Sequence, residues 1–202
     1  MVQSIHPTKT RLIETTVSLL ENELPTEISV DEILEQSGIS KGSLYHHFED
    51  LNEVLEAAQV ARYASWVDRS VAMLVDVIAH AKNVDDLRLG LTKVTEYTQS
   101  REYSKIRYER ARTIANSELS PRFKKALAAE QVRLTDALAD LVHEAQGRGI
   151  WNQKVDPRST AVFVQAYTLG KIVDDFVEPP MDGEKWNTLI MDIINNVFLA
   201  TK

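Results

Sequence analysis

Residues Ser29 to Phe48 read SVDEILEQSGISKGSLYHHF. Ser29 precedes an apolar-periodic run and is followed three residues later by Glu32, which is a capping-box start for a short helix over Val30–Ser37. Gly38 stops that helix at a point where the chain must reverse and a positive φ would be costly for a residue with a side chain. A second short helix begins at Ser40 or Lys41 and runs to about His47. Ile33, Leu34, Ile39, Leu44 and Phe48 supply the apolar contacts that clamp the two helices together. Two short helices joined by a three- or four-residue turn containing glycine form a helix-turn-helix, whose second helix presents its N-terminal residues to base edges.

The outward residues of that second helix suit a DNA contact. Lys41 can donate to guanine or to a phosphate. Gly42 removes a side chain and lets the backbone come close. Ser29, Ser40 and Ser43, with the helix N-terminal amides, are phosphate donors. Tyr45 offers a hydroxyl and a ring, and His46 and His47 are donors whose charge depends on nearby phosphate.

Working outward, the chain is helical throughout. Leu12, Ile13, Thr16, Val17, Leu19 and Leu20 form one stripe on a helix over about residues 8–23, ended at Leu24–Pro25–Thr26. A long helix starts near Asp50 or Leu51 and extends to about His80. Further helices are expected over residues 85–100, 102–115, 122–146, 157–177 and 183–200, separated by Ser120–Pro121, Gly147–Arg148–Gly149, Asp156–Pro157 and Pro179–Pro180. The expectation is an all-α chain of about nine helices. A three-helix helix-turn-helix head over residues 1–50 sits on a larger helical body over residues 51–202, joined through the long helix and not by a tether.

The stretch GISKGSLYHHFED, with Arg11, Leu12 and Ile13 on the preceding helix, resembles the helix-turn-helix signature of the tetracycline-repressor (TetR) family, and the likeness covers about residues 8–58. Beyond that the similarity is architectural. The resemblance implies a homodimer, a palindromic operator in double-stranded DNA, and release by a small-molecule effector held in the body. One position departs from the family pattern. Leu51 stands where family members often carry a phosphate-gripping lysine, and Glu49 and Asp50 beside it oppose the DNA backbone. Each missing phosphate contact removes about one unit of salt slope.

Composition narrows the alternatives. The chain of 202 residues carries a net charge of −7, which argues against a general nucleic-acid coat protein. Residues 1–50 hold only Lys9, Arg11 and Lys41 against nine acidic residues, so any DNA contact relies on a few placed cations. The absence of cysteine excludes disulfides and thiolate metal sites and fits a cytoplasmic location. The first ten residues contain no apolar signal core, and no apolar run approaches the length of a membrane span. No phosphate loop or nucleophile motif is present, and Asp140-x-x-His143 lacks the second pair that a di-metal bundle needs. Neither an enzyme nor a metal or cofactor protein is expected.

Residues 101–125 hold eight basic against three acidic residues with Tyr103 and Tyr108 interleaved and Tyr97 just before them. One arginine, Arg107, is expected to face an anionic effector in a mixed aromatic pocket. Trp66, Tyr97, Tyr103, Tyr108, His143, Trp151, Phe163 and Tyr167 are the other candidate wall residues. The last two helices are apolar on more than one face, and Ala166 and Gly170 permit close approach, as a four-helix dimer interface would require. The competing reading is a helical ligand-binding or protein-interaction module in which DNA binding is weak or lost. The acidic head favours it, and affinity for DNA at low salt separates the two.

Overall fold

The computed structural model describes residues 6–200. The head comprises α1 (Pro7–Leu19), α2 (Val30–Ser37) and α3 (Lys41–His47). The body comprises α4 (Leu51–His80), α5 (Val84–Gln99), α6 (Ser104–Ser117), α7 (Pro121–Gly147), α8 (Pro157–Gly170), the short α9 (Ile172–Asp175) and α10 (Gly183–Ile193), which passes into a π-helical turn over Ile194–Phe198. No strand forms among the described residues, and Trp151 and Leu199 make one isolated antiparallel bridge.

The head closes on an apolar cluster of Leu12, Leu19, Ile33, Leu44 and Phe48, to which α4 adds Val54, Leu55 and Ala58. The first turns of α4 therefore belong to the head, and the helix then continues into the body. There Tyr63, Trp66 and Val67 pack with Phe123, Leu127, Leu134 and Leu138 of α7. The far end of α4 enters a third cluster, where Ile78 meets Val142, Trp151, Ile190, Ile194 and Phe198. One helix thus runs through three cores.

The helices begin where short polar side chains accept from the free first-turn amides. Ser29 accepts from the Glu32 amide at 3.2 Å, Ser40 from Ser43 at 3.3 Å, and Asp50 from Glu53 at 2.8 Å. Glu53 returns the favour to the Glu49 amide at 2.6 Å, completing a reciprocal cap on α4. Gly38 has φ of 67°, the left-handed conformation expected of a glycine that ends a helix.

Two helices end earlier than their apolar periodicity implies. The α1 helix stops at Leu19, beyond which the Glu21 and Asn22 amides turn to the i−3 carbonyls of Ser18 and Leu19, and the Leu20 carbonyl accepts from Arg62 Nη1 of α4 at 2.8 Å. The helix expected over residues 157–177 breaks at Gly170–Lys171. Beyond the break Asp175 turns inward to the Arg107 guanidinium, and a glycine is a weak point at which that bend costs little.

Candidate nucleic-acid interface and effector cavity

The turn geometry places α3 on the outside of the head with Leu44 buried and Lys41, Gly42, Tyr45 and His46 exposed. Ser43 and His47 are half-buried at its flanks, and Ser29 and Ser40 are exposed at the two helix starts. The hydroxyls of Ser29 and Ser40 are already engaged as caps, and Ser40 also donates to the Ser43 hydroxyl at 3.1 Å. A phosphate oxygen beside α3 would meet the first-turn amides that the Ser40 cap leaves unpaired.

The head also gathers cations that the motif itself does not contain. Lys9 Nζ lies over the Phe48 ring at 4.8 Å from its centroid. The His6 and His47 rings are 4.8 Å apart, and His46 and His47 meet edge to face at 5.0 Å. Loss of water, then the charges of His6, His46 and Lys9, all hold the His47 pKa below its ordinary value. Arg11 reaches toward the turn glycine, with Nη2 3.7 Å from where a Gly38 side chain would begin. His6 and Lys9 were not marked by any motif spacing, since they precede the helix-turn-helix by some twenty residues and arrive beside it only through the packing of α1 on α3.

The body holds a partly open cavity of about 110 Å³ between α4, α5, α6, α7, α8 and the C-terminal π-turn. Its wall is nearly all apolar. Of the aromatic residues expected there, Trp66, Tyr103, Trp151 and Tyr167 line it. Trp66 Nε1 donates to the Tyr103 hydroxyl at 2.9 Å, and Trp151 stacks on Phe198 with ring centroids 5.8 Å apart. Burial raises the Tyr167 pKa.

Five expected wall residues lie elsewhere. Arg107 is fully buried but spent on structure: Nε and Nη2 donate to the two Asp175 oxygens, each at 2.6 Å, and Nη1 and Nη2 to the Thr98 and Ser100 carbonyls. Tyr97 is 58% exposed on the outer side of α5, while Val94, Thr95 and Thr98 face the cavity. Tyr108 is about 100° around α6 from Arg107 and off the buried face. His143 is exposed next to the cavity-facing Val142, and Phe163 is 40% exposed with its ring against Phe198 and Tyr167.

The arginine in the wall is Arg110, one helical turn beyond Arg107. Its guanidinium lies 3.6 Å above the Trp66 ring. It also borders a cleft of about 540 Å³ between α1, α4 and α6, where head meets body. Across that cleft Glu109 pairs with Arg62, the same residue that holds the Leu20 carbonyl. Sequence spacing could not separate Arg107 from Arg110, since residues three apart share a helix face and only the position of Asp175 decides between them.

Among the described residues no cluster of three or more potential metal ligands occurs, and no helix is long and apolar enough to cross a membrane.

Residues 12–58 match the family model of bacterial regulatory proteins of the tetR family. Curated proteins yield no match. Among solved structures, a tetR-family transcriptional regulator from Mesorhizobium loti aligns with a TM-score of 0.72 at 14% identity, over 96% of this chain and 97% of that one. Salmonella enterica GusR aligns at 0.68 and 20% identity, over 97% of each chain. A transcriptional regulator from Saccharomonospora viridis, solved in complex with choline, aligns at 0.66 and 16% identity, over 96% of this chain and 98% of that one. At these identities the likeness is one of fold.

Proposed function

We propose, for a chain that belongs through residues 12–58 to the tetR family of bacterial regulatory proteins, that it is a cytoplasmic, ligand-responsive transcriptional repressor. It binds a palindromic operator as a homodimer and leaves it when a small molecule enters the body. The observation that carries this reading is the exposed α3 surface of Lys41, Gly42, Tyr45 and His46 on a head coupled through α4 to a body with an apolar cavity. Base edges and phosphates are read by Lys41, Tyr45, His46 and His47, with Ser29, Ser40 and Ser43 and the α3 amides steadying the backbone. The division into head and body falls inside α4.

The dimer reading is supported by apolar side chains left exposed on the C-terminal helices: Val162 and Phe163 on α8, Val173 on α9, Leu189 on α10 and Val197 on the π-turn. Ala166 and Gly170 continue the Val162 stripe at four-residue spacing and permit close contact. A second copy paired there would set two α3 helices about 34 Å apart, one turn of duplex. The effector acts by favouring a body conformation with a different head spacing. The Glu109–Arg62–Leu20 connection is the direct route from the cavity wall to the head.

The alternative is a helical module that has lost DNA binding. It draws on the nine acidic residues among residues 1–50 and on Leu51. Gel-shift of pure protein on DNA fragments flanking its own gene decides between them. The regulator reading expects salt-sensitive, sequence-selective binding that a Lys41→Ala, Tyr45→Ala double variant abolishes while remaining dimeric. Binding that is absent, or indifferent to sequence, favours the alternative.

A further inference from the structure

Arg110 is only 4% exposed, and its Nε is buried without a hydrogen-bond partner. The carboxylates on and near its helix are committed elsewhere: Glu109 to Arg62, and Asp175 to Arg107 and Lys171. A buried guanidinium without a counter-charge is costly unless something supplies one. The second orphan donor in the same wall is Trp151 Nε1. The two sit at opposite ends. Arg110 lies against Trp66, in the cluster nearer the head, whereas Trp151 packs with Ile78 and Phe198 in the distal cluster.

Between them the wall follows one stripe of α4, from Trp66 through Ser70, Met73 and Leu74 to Ile78. At a rise of 1.5 Å per residue that stripe is about 18 Å long. Apolar side chains line that length, with an unpartnered polar donor toward each end, Arg110 Nε and Trp151 Nε1. A wall of that kind suits an extended aliphatic chain that carries a polar group at its end. It refuses a cation as the head group, because Arg110 already covers the Trp66 face that would otherwise receive one.

We infer that the effector is an unbranched aliphatic carboxylate, held by its carboxylate at Arg110 with its hydrocarbon chain along the apolar wall, and that an oxygen at the far end of the chain is favoured by Trp151 Nε1. This rests on reading the cavity as the effector site. Charge complementarity supplies the head-group preference and the apolar wall supplies the tail preference.

The test is titration of the pure protein, without DNA, followed by tryptophan fluorescence and calorimetry, with decanoate, ω-hydroxydecanoate, 1-decanol and decyltrimethylammonium. Decanoate should bind about tenfold or more tightly than decanol and the ammonium compound. The ω-hydroxy acid should bind more tightly still. Arg110→Met should erase the preference for carboxylate over alcohol, and Arg110→Lys, which keeps the charge, should retain part of it. Trp151→Phe should erase only the ω-hydroxy advantage. Removing an unpaired buried charge leaves the fold intact, which a melting curve of Arg110→Met verifies. No binding by any of the four chains overturns the inference. So does equal binding of decanoate and decanol, or a carboxylate preference that survives in Arg110→Met. Because no DNA is present, a protein that binds carboxylates but no operator keeps this inference and ends the repressor reading. One that binds operator but no carboxylate does the reverse.

Discussion

Arg62 donates from Nη1 to the carbonyl of Leu20 at 2.8 Å and, through its other terminal nitrogen, pairs with Glu109. The first contact ties α4 to the end of α1 in the head. The second ties α4 to α6, whose next residue, Arg110, stands in the cavity wall. A contiguous chain of three named groups therefore links the cavity wall to the head, and each can be removed separately.

Replacing Arg62 with Met keeps the aliphatic stem in the cleft and deletes both contacts. Operator affinity without effector should stay within about threefold of the parent, while the fall in affinity caused by saturating effector should shrink by about tenfold. Fluorescence-anisotropy titrations of DNA with and without effector measure both. Unchanged release in Arg62→Met would remove this route.

Leu51 is half-buried at the start of α4, beside the Asp50 cap. A lysine there can lay its stem on the same apolar surface and extend its ammonium toward a phosphate. Leu51→Lys should tighten DNA binding and steepen the slope of log affinity against log salt by about one unit per protomer. Titrations between low and moderate salt read this directly.

His47 titrates below the ordinary histidine range in the free protein because of lost hydration and then the nearby His6, His46 and Lys9. A phosphate beside it favours the charged form and raises its pKa in the complex. Binding then takes up a proton. The gain is fully present below the free-protein pKa and is lost as pH rises through the complex's value. Affinity should rise from pH 7.5 to 5.5 and flatten in His47→Gln, as anisotropy across that range will register.

The Arg107–Asp175 pair is fully buried, with side chains 0% and 1% exposed. Burial raises the Asp175 pKa, but the hydrogen bonds and charge of Arg107, with Lys171, outweigh it and hold the carboxyl below its ordinary value. An unfolded aspartate titrates at about 3.9, so the pair's contribution is complete above about pH 4 and fades as pH falls through the folded value. Asp175→Asn leaves a buried cation and should cost about 3 kcal/mol at neutral pH. The gap between the two proteins should close in acid melts.

Gly90 of α5 faces α4 so closely that an added Cβ would fall 2.6 Å from Val77 Cγ1. Gly90→Ala should destabilise the body by about 2 kcal/mol in urea titrations. Pairing it with Val77→Ala should restore most of the loss.

The head was legible from Ser29 to Phe48 because its signals are local. The Ser29 and Ser40 caps, the Gly38 stop and the apolar residues Ile33, Leu44 and Phe48 all act over a few positions. The all-α architecture followed for the same reason, since helix starts at Pro121 and Pro157 are written in single residues. What depends on contacts distant in sequence was not legible. The partner of Arg107 lies 68 residues away, so spacing alone does not tell it from the wall residue Arg110. The Leu20 carbonyl just beyond α1 is met by Arg62, 42 residues further on. Gly90 carries no local mark of its neighbour Val77.

The α4 helix spans residues 51–80 and is shared by the head and both body clusters. Thirty residues make a rod about 45 Å long. Pivoting such a rod by about 5° near its distal end sweeps the other end through about 4 Å, more than the tolerance of a hydrogen bond to a base edge. A shift of α4 by about 2 Å at Trp66 in the cavity wall, about 21 Å from such a pivot, is therefore enough to carry the head end of the helix through the full ~4 Å.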